Sequence, residues 1–508
     1  MQDFRIAIIG GGASGIALAV KLSKAGFRNV TVFEAESSPG GTWHINTFPG
    51  CEVDVESHAY SFSFMPYDWS RNFASGAEVG KYLNDVIDAF DITDHFRCNV
   101  RVVDARWAEA TATYRVTLDT GEADDFDFVV SCVGTLSNPN IPGWAEAEIF
   151  GGPIFHTAGW DHEQDLRGKT VALVGTGSTA AQVGPAIAPI VGELLHFQRS
   201  PTWIFPKHVA DYAPDVRKRF ANNPWRQKWD RYKIFRRSEL RKIRRGIYVR
   251  GTKENLRLQE MLTGLIRREV KDPTTAEALT PDYPVGCKRP VQAAGFYEMY
   301  NRDNVHLVPH AVQALKSGGI IDVTGTEHQV DAIVLATGYT AQRYLASVEI
   351  FGRGGRPLHD VWEVSPKAFL GISVPDFPNF FMLYGPNCNG GVSAISQAEF
   401  AADAIVRRIR IMRRAGRRTV DTRAEPFAWF VNWVDKSNAK RTSRVLGQCS
   451  NYYYAEDGRN VTQWPGTRRT YRLMTTFLPF WGWTSTSDRG KGPIAEERPR
   501  MHIEDLPL

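Results

Sequence analysis

Along residues 5–35 the spacing of apolar positions changes twice. RIAIIG is a β-branched apolar run of the kind that fills a buried parallel strand, GGGASG interrupts it, and ASGIALAVKLSKAG carries apolar residues at helical spacing. NVTVFEA then returns to a strand pattern. The same order recurs over residues 169–199, as KTVALVG, the turn and helix GTGSTAAQVGPAIAP, and the strand GELLHFQRS. Together they predict an α/β fold with two Rossmann-like dinucleotide-binding units. Residues 213–280 differ: PDVRKRFANNPWRQKWDRYKIFRRSELRKIRRG is helical in period and rich in Arg and Lys, which predicts a helical insert over the active site with a solvated basic face. VRRIRIMRRAGRR at 406–418 reads as the end of a surface helix. FLPFWGWTSTS at 477–487 is aromatic but too short to span a bilayer, and is expected to pack on the protein or line a pocket.

The turns between these elements carry chemistry. Gly10, Gly12 and Gly15 form GxGxxG between a strand and a helix: the first allows the tight turn, the second the approach of a pyrophosphate, the third close helix packing. The helix N-terminus then faces the phosphates. Glu34 ends the next strand, where a carboxylate suits ribose hydroxyls. In the second unit Gly175, Gly177 and Ala180 form GxGxxA, with Thr176 and Ser178 in the same turn. Arg199 lies 24 residues after Gly175, the spacing of Glu34 from Gly10, and Ser200 follows it. A guanidinium there suits a 2′-phosphate, so the first unit is expected to bind FAD and the second NADPH. Two such sites imply hydride transfer from nicotinamide to flavin.

Bulk properties narrow the fate of those electrons. Six cysteines, at 51, 98, 132, 287, 388 and 449, include no CxxC pair, which argues against a dithiol acceptor of the disulfide-reductase kind and against a zinc ribbon. Oxygen or a carrier protein remains. Nothing beside the lone His156 resembles a metal-ligand set or a nucleophile triad. A length of 508 residues fits two or three domains, and 43% hydrophobic with 23% charged residues is ordinary for globular proteins. The net charge of +5 argues against a dedicated nucleic-acid binder. MQDFRIAIIG lacks the features of a signal peptide, and no run is long enough for stable membrane insertion, so a cytoplasmic location with reduced cysteines is expected. Nothing in the pattern bears on oligomeric state.

FGGPIFHTAGWD at 150–161 matches, at every defined position, the fingerprint FxGxxxHxxxW(P/D) of type I Baeyer–Villiger monooxygenases, through Phe150, Gly152, His156, Trp160 and Asp161. Other stretches resemble that family as well. GGTW at 40–43, FPGCEVD at 48–54 and ESHAYSFSF at 56–64 resemble its flavin-binding segment, which implies FAD contacts at Gly41, Thr42, Trp43, Asp54 and Tyr60. GCKRP at 286–290 resembles the segment carrying its active-site arginine, VLATGY at 334–339 its hinge, and LYGPNCNGG at 383–391 its return to the FAD domain.

The resemblance implies a flavin that NADPH reduces and O2 converts to a C4a-peroxyflavin, which attacks a ketone and yields an ester or lactone. Arg289 is the expected catalytic cation, Asp54 its partner, and Lys288 a contact to the 2′-phosphate. His156 and Trp160 are expected to bond and pack within a linker that couples the two units. Glu52 departs from the family, which often has Arg there. The layout implied is an FAD domain at 1–140 and 380–508, an NADPH domain at 141–212 and 281–379, and the helical insert at 213–280. An N- or S-oxygenating flavin monooxygenase uses the same cofactors and is the alternative; a flavoprotein reductase is a further one.

Overall fold

The computed structural model describes residues 3–146, 149–244, 251–390, 393–439 and 451–486. Each predicted unit is a five-stranded parallel sheet. The first has the order Phe380–Met382, Phe128–Ser131, Ile6–Ile9, Val30–Phe33, Phe96–Arg97. The second runs Val305–Val308, Glu193–Phe197, Thr170–Val174, Ala332–Leu335, Ile154–His156. Central strands such as Ile6–Ile9 and Ala332–Leu335 are buried at every position, as parallel strands covered on both faces must be. The helices Ala13–Lys24 and Ser178–Ile187 each follow a glycine turn. Separate apolar cores form around the two sheets.

The chain crosses between the units twice, and the two crossings are hydrogen-bonded to each other. Asn140 N–H donates to Gly338 O (2.8 Å) and Thr340 N–H to Asn138 O (3.0 Å). Beyond this point the strand Glu349–Phe351 pairs with Val102–Ala108, and Tyr344, Val348 and Ile350 share a core with Ile9 and Phe33. Residues 343–379 therefore pack with the first unit. We place the return near 342, ahead of the boundary at 380 that the sequence suggests, because the reentry is made by strand pairing across more than 200 residues and leaves no local signal.

The helical insert comprises Pro214–Ala221, Pro224–Arg244, Lys253–Glu269 and Pro273–Ala278. Its basic face is largely exposed, as expected, but a few side chains turn inward. Asp230 meets His58 Nδ1 at 2.7 Å, Arg231 donates to Ser61 O and reaches Glu399 (3.4 Å), and Arg237 pairs with Glu56 (2.7 Å), so the second helix is bolted to the first unit. The expected surface helix is Ala394–Ala415, and it also lies deeper than predicted: Arg408 is buried and donates to Pro479 O (2.8 Å). The aromatic tail forms the helix Arg468–Gly482 and the strand Trp483–Thr486, which pairs with Thr419–Thr422 and buries Trp483. Among the described residues no helix is long and apolar enough to cross a membrane. Cys51, Cys98, Cys132 and Cys388 are free thiols, whereas Cys287 is disulfide-bonded, contrary to the reduced state expected of all six; pairing depends on the fold and cannot be read from spacing.

Candidate active site

The first glycine turn is shaped by backbone contact. Gly10 has φ +104°, and a Cβ there would lie 2.8 Å from Cys132 O. Gly15 packs so closely on the turn that a Cβ would meet Gly10 O at 2.1 Å. Gly12 and Gly41 face each other, a Cβ on Gly41 reaching within 2.9 Å of Gly12 Cα. The helix starting after Gly12 has neither a side-chain cap nor an acidic residue in its first turn. Its free N–H groups and positive end therefore fit a pyrophosphate. Buried Glu34 accepts from Gly11 N–H (2.7 Å) and Glu36 N–H (2.9 Å), so it braces the turn and keeps a carboxylate beside it.

The second turn repeats this design. Gly175 has φ +127°, a Cβ on Gly177 would meet open space, and the helix after Gly177 again lacks a cap and an acidic first turn. Ser178 opens that helix and Ala180 is fully buried beneath it. Thr176 Oγ1 donates to Ser200 O (3.0 Å), and Lys288 Nζ donates to Ser200 Oγ (2.6 Å). Arg199 is exposed, and its charge, after burial, lowers the pKa of Lys288. Among the described residues no carboxylate forms an ion pair with Arg199 or Lys288. Asp282 acts on Lys288 only at longer range, and two cations and a hydroxyl without an ion-paired carboxylate fit a phosphate. The fold thus brings together Thr176, Arg199, Ser200 and Lys288, which the sequence assigns to one site. The sequence reading misses His196, whose ring is wholly buried and spans from Tyr300 OH (2.5 Å) to the carbonyl of Gly175 (2.6 Å), fixing the turn from below. Its inward position in the strand Glu193–Phe197 was the available signal. Burial lowers its pKa to about 4.

Between the turns lies the pair expected to carry the chemistry. Arg289 Nη2 donates to Asp54 Oδ2, and the Asp54 charge raises the arginine's pKa, outweighing lost solvation; Tyr452, Tyr453 and Tyr384 add to the effect. The Arg289 side chain keeps 42% of its surface exposed, so it faces open space and is not sealed in the core. Tyr60, which accepts from Trp43 Nε1 (3.2 Å), is pushed up to about 12 by burial and is neutral at working pH. Thr42 starts the short helix Thr42–Ile45, and its carbonyl accepts from Asn46 Nδ2 (2.9 Å).

The departure at Glu52 is answered in the fold. Its carboxylate pairs with Lys207 (2.5 Å) and more loosely with Arg71 (3.5 Å). Lys207 follows the strand Ile204–Pro206, which pairs with Val291–Ala293, two residues after Arg289.

The fingerprint stretch is more than a linker. Ile154–His156 is an edge strand of the second sheet, paired with Ile333–Leu335. His156 Nδ1 accepts from Ala158 N–H (3.0 Å), which leaves the proton of the neutral ring on Nε2, and burial lowers its pKa. The ring meets Tyr339 edge-on (5.7 Å), and Tyr339 OH donates to Asn46 Oδ1 (2.9 Å). A chain of contacts thus runs from His156 through the hinge to Thr42. Trp160 packs on Phe155 (5.1 Å), Phe150 on the apolar cluster around Leu315 and Val330, and Asp161 accepts from Glu163 N–H (3.0 Å).

Residues 8–76 match the NAD(P)-binding Rossmann-like domain family, and residues 58–272 match the L-lysine 6-monooxygenase/L-ornithine 5-monooxygenase family. A Baeyer–Villiger monooxygenase of Pseudomonas aeruginosa is 34% identical over 93% of this chain and 89% of its own. A Baeyer–Villiger monooxygenase of Streptomyces coelicolor is 33% identical over 93% and 91%. Among solved structures, oxidized steroid monooxygenase bound to NADP superposes with a TM-score of 0.86 at 29% identity, covering 96% of this chain and 100% of that one.

Proposed function

The chain belongs to the Baeyer–Villiger monooxygenases, and from that membership we propose how its own residues divide the work of converting a ketone to an ester or lactone with NADPH and O2. FAD and NADPH, when bound, supply the reducing equivalents and the activation of oxygen. Gly10, Gly12, Gly15 and Gly41 form the cradle for the FAD pyrophosphate, with Glu34 toward the ribose, and Trp43 and Tyr60 line the path to Asp54. Gly175, Gly177 and the start of the helix at Ser178 receive the NADPH pyrophosphate. Arg199, Ser200 and Lys288 take its 2′-phosphate.

Arg289 supplies a permanent positive charge beside the reacting atoms, where negative charge develops on oxygen. Asp54 keeps that guanidinium charged and aimed. The neighbouring Tyr60 holds its proton, so the pair adds charge without adding an acid that would discharge the oxidant as hydrogen peroxide. One observation carries this reading. Lys288 and Arg289 are consecutive, yet one reaches Ser200 of the second unit and the other Asp54 of the first, so both cofactor sites converge on one short segment.

The test is oxygenation of a ketone panel by the FAD-loaded protein under 18O2. One labelled oxygen in the ester, with NADPH preferred over NADH, is expected. Ketones left intact while amines or sulfides are oxidised would favour the N- or S-oxygenating alternative, toward which the match over residues 58–272 points. NADPH oxidation with no oxygenated product would leave only a reductase.

A further inference from the structure

We propose that Lys207 is a positioning residue for oxygenation: it holds the carbonyl of Val53, and through it sets the Asp54 carboxylate against Arg289. The proposal rests on the role given to Arg289 above. Lys207 has a fully buried side chain, rare for lysine, and no part in the chemistry assigned so far. Its ammonium makes two short contacts, to Glu52 Oε1 (2.5 Å) and to Val53 O (2.6 Å), and sits 4.9 Å from the centre of the Phe73 ring. Burial lowers its pKa, and Glu52 and Asp54 oppose the shift.

Placement matters more than charge. The strands Ile204–Pro206 and Val291–Ala293 are paired in register, Ile204 with Val291 and Pro206 with Ala293. Lys207 leaves one strand and Arg289 precedes the other, and both reach the three-residue segment Glu52–Asp54. Lys207 takes Glu52 and Val53, and Arg289 takes Asp54. Gln182, from the helix of the second glycine turn, holds the same segment: its Nε2 donates to Glu52 O (3.0 Å) and its Oε1 accepts from Glu52 N–H (3.4 Å). The second unit thus grips the Asp54 segment by side chain and backbone. A buried ion pair contributes little net stability and is often replaceable by apolar residues, so stability alone gives no reason for this lysine. A donor fixed on the carbonyl next to Asp54 does.

The experiment uses FAD-loaded enzyme and three readouts: the ratio of ester to hydrogen peroxide formed per NADPH, the crystallographic position of the Asp54 carboxylate, and Tm. Lys207→Met is expected to lower the ratio at least about fivefold with Asp54 displaced from Arg289, and to have less than about a twofold further effect in an Asp54→Ala background, because residues acting through one another are not additive. If Lys207→Met fails to fold because Glu52 is left unpaired, the double variant Glu52→Gln/Lys207→Met removes both charges, still deprives Val53 O of its donor, and is expected to shift the ratio equally. A wild-type ratio with Asp54 still on Arg289 and only Tm lowered would overturn the proposal, as would effects of Lys207→Met and Asp54→Ala that multiply. Failure of the wild-type protein to form any ester would instead refute the function proposed above, and the position of Asp54 would then decide the role of Lys207 by itself.

Discussion

Lys288 and Arg289 are neighbours in sequence and belong to different sites: Lys288 Nζ donates to Ser200 Oγ at 2.6 Å, and Arg289 pairs with Asp54. The bend ahead of the strand Val291–Ala293 thus sends successive side chains to the two glycine-turn units. Replacing either residue is expected to produce a different defect.

Arg199→Ala and Lys288→Ala should each weaken NADPH use by about 10- to 100-fold in kcat/KM, the worth of one charge-assisted hydrogen bond at roughly 1.5–3 kcal/mol. NADH use should change little. Steady-state kinetics with both nucleotides checks this, and equal losses would count against a 2′-phosphate contact.

Arg289→Ala should lower ester formation by about 10²–10³-fold, the usual cost of removing one stabilising donor from a developing oxyanion. Anaerobic reduction of the flavin by NADPH should fall far less. Loss of both in parallel would move Arg289 from the oxygenation step to nucleotide binding.

His196 gives the second unit a dependence on pH. Its folded pKa of about 4 lies below the 6.5 of a free histidine, so the folded state binds fewer protons than the unfolded one. Its contribution is complete above about pH 6.5 and is lost as pH falls toward 4, amounting to about 3 kcal/mol at full extent. Urea unfolding from pH 7 to 4 should show this slope in the wild type and a shallower one in His196→Asn.

Two glycines should respond differently to the same change. A Cβ on Gly152 would lie 2.4 Å from Asp331 O and 2.8 Å from the Phe150 ring, so Gly152→Ala is expected to cost about 1–3 kcal/mol of stability, as overpacking does. A Cβ on Gly177 meets nothing within 4 Å. Gly177→Ala should keep the wild-type Tm while raising KM for NADPH several-fold, because the methyl occupies space the pyrophosphate needs.

Much of the site was legible because its parts are local. Glycine turns, a strand-end Glu34 or Arg199, and Lys288-Arg289 within GCKRP each announce themselves within a few residues, and the fold only had to bring them together. What escaped depends on partners far away in sequence. Nothing near Lys207 reveals Glu52, 155 residues away, and nothing near Arg408 reveals Pro479, 71 residues away. The strand Glu349–Phe351 has too few residues to show a period, yet its pairing with Val102–Ala108 moves the domain boundary by almost forty positions. Glu52 is the instructive case: its reversed charge was visible at once, but its meaning required Lys207.

The strand Phe380–Met382 closes the edge of the first sheet against Phe128–Ser131, 252 positions earlier. On the ribosome the first unit therefore waits, with that edge bare, until the whole second unit has been synthesised. The second unit has its own apolar core and all five strands between residues 154 and 308 or 332 and 335, so it can close first. Loop closure is cheaper once the intervening chain is already compact. Synthesis thus supplies the strands from the inside outward, and the sheet begun first is the last to receive its full set.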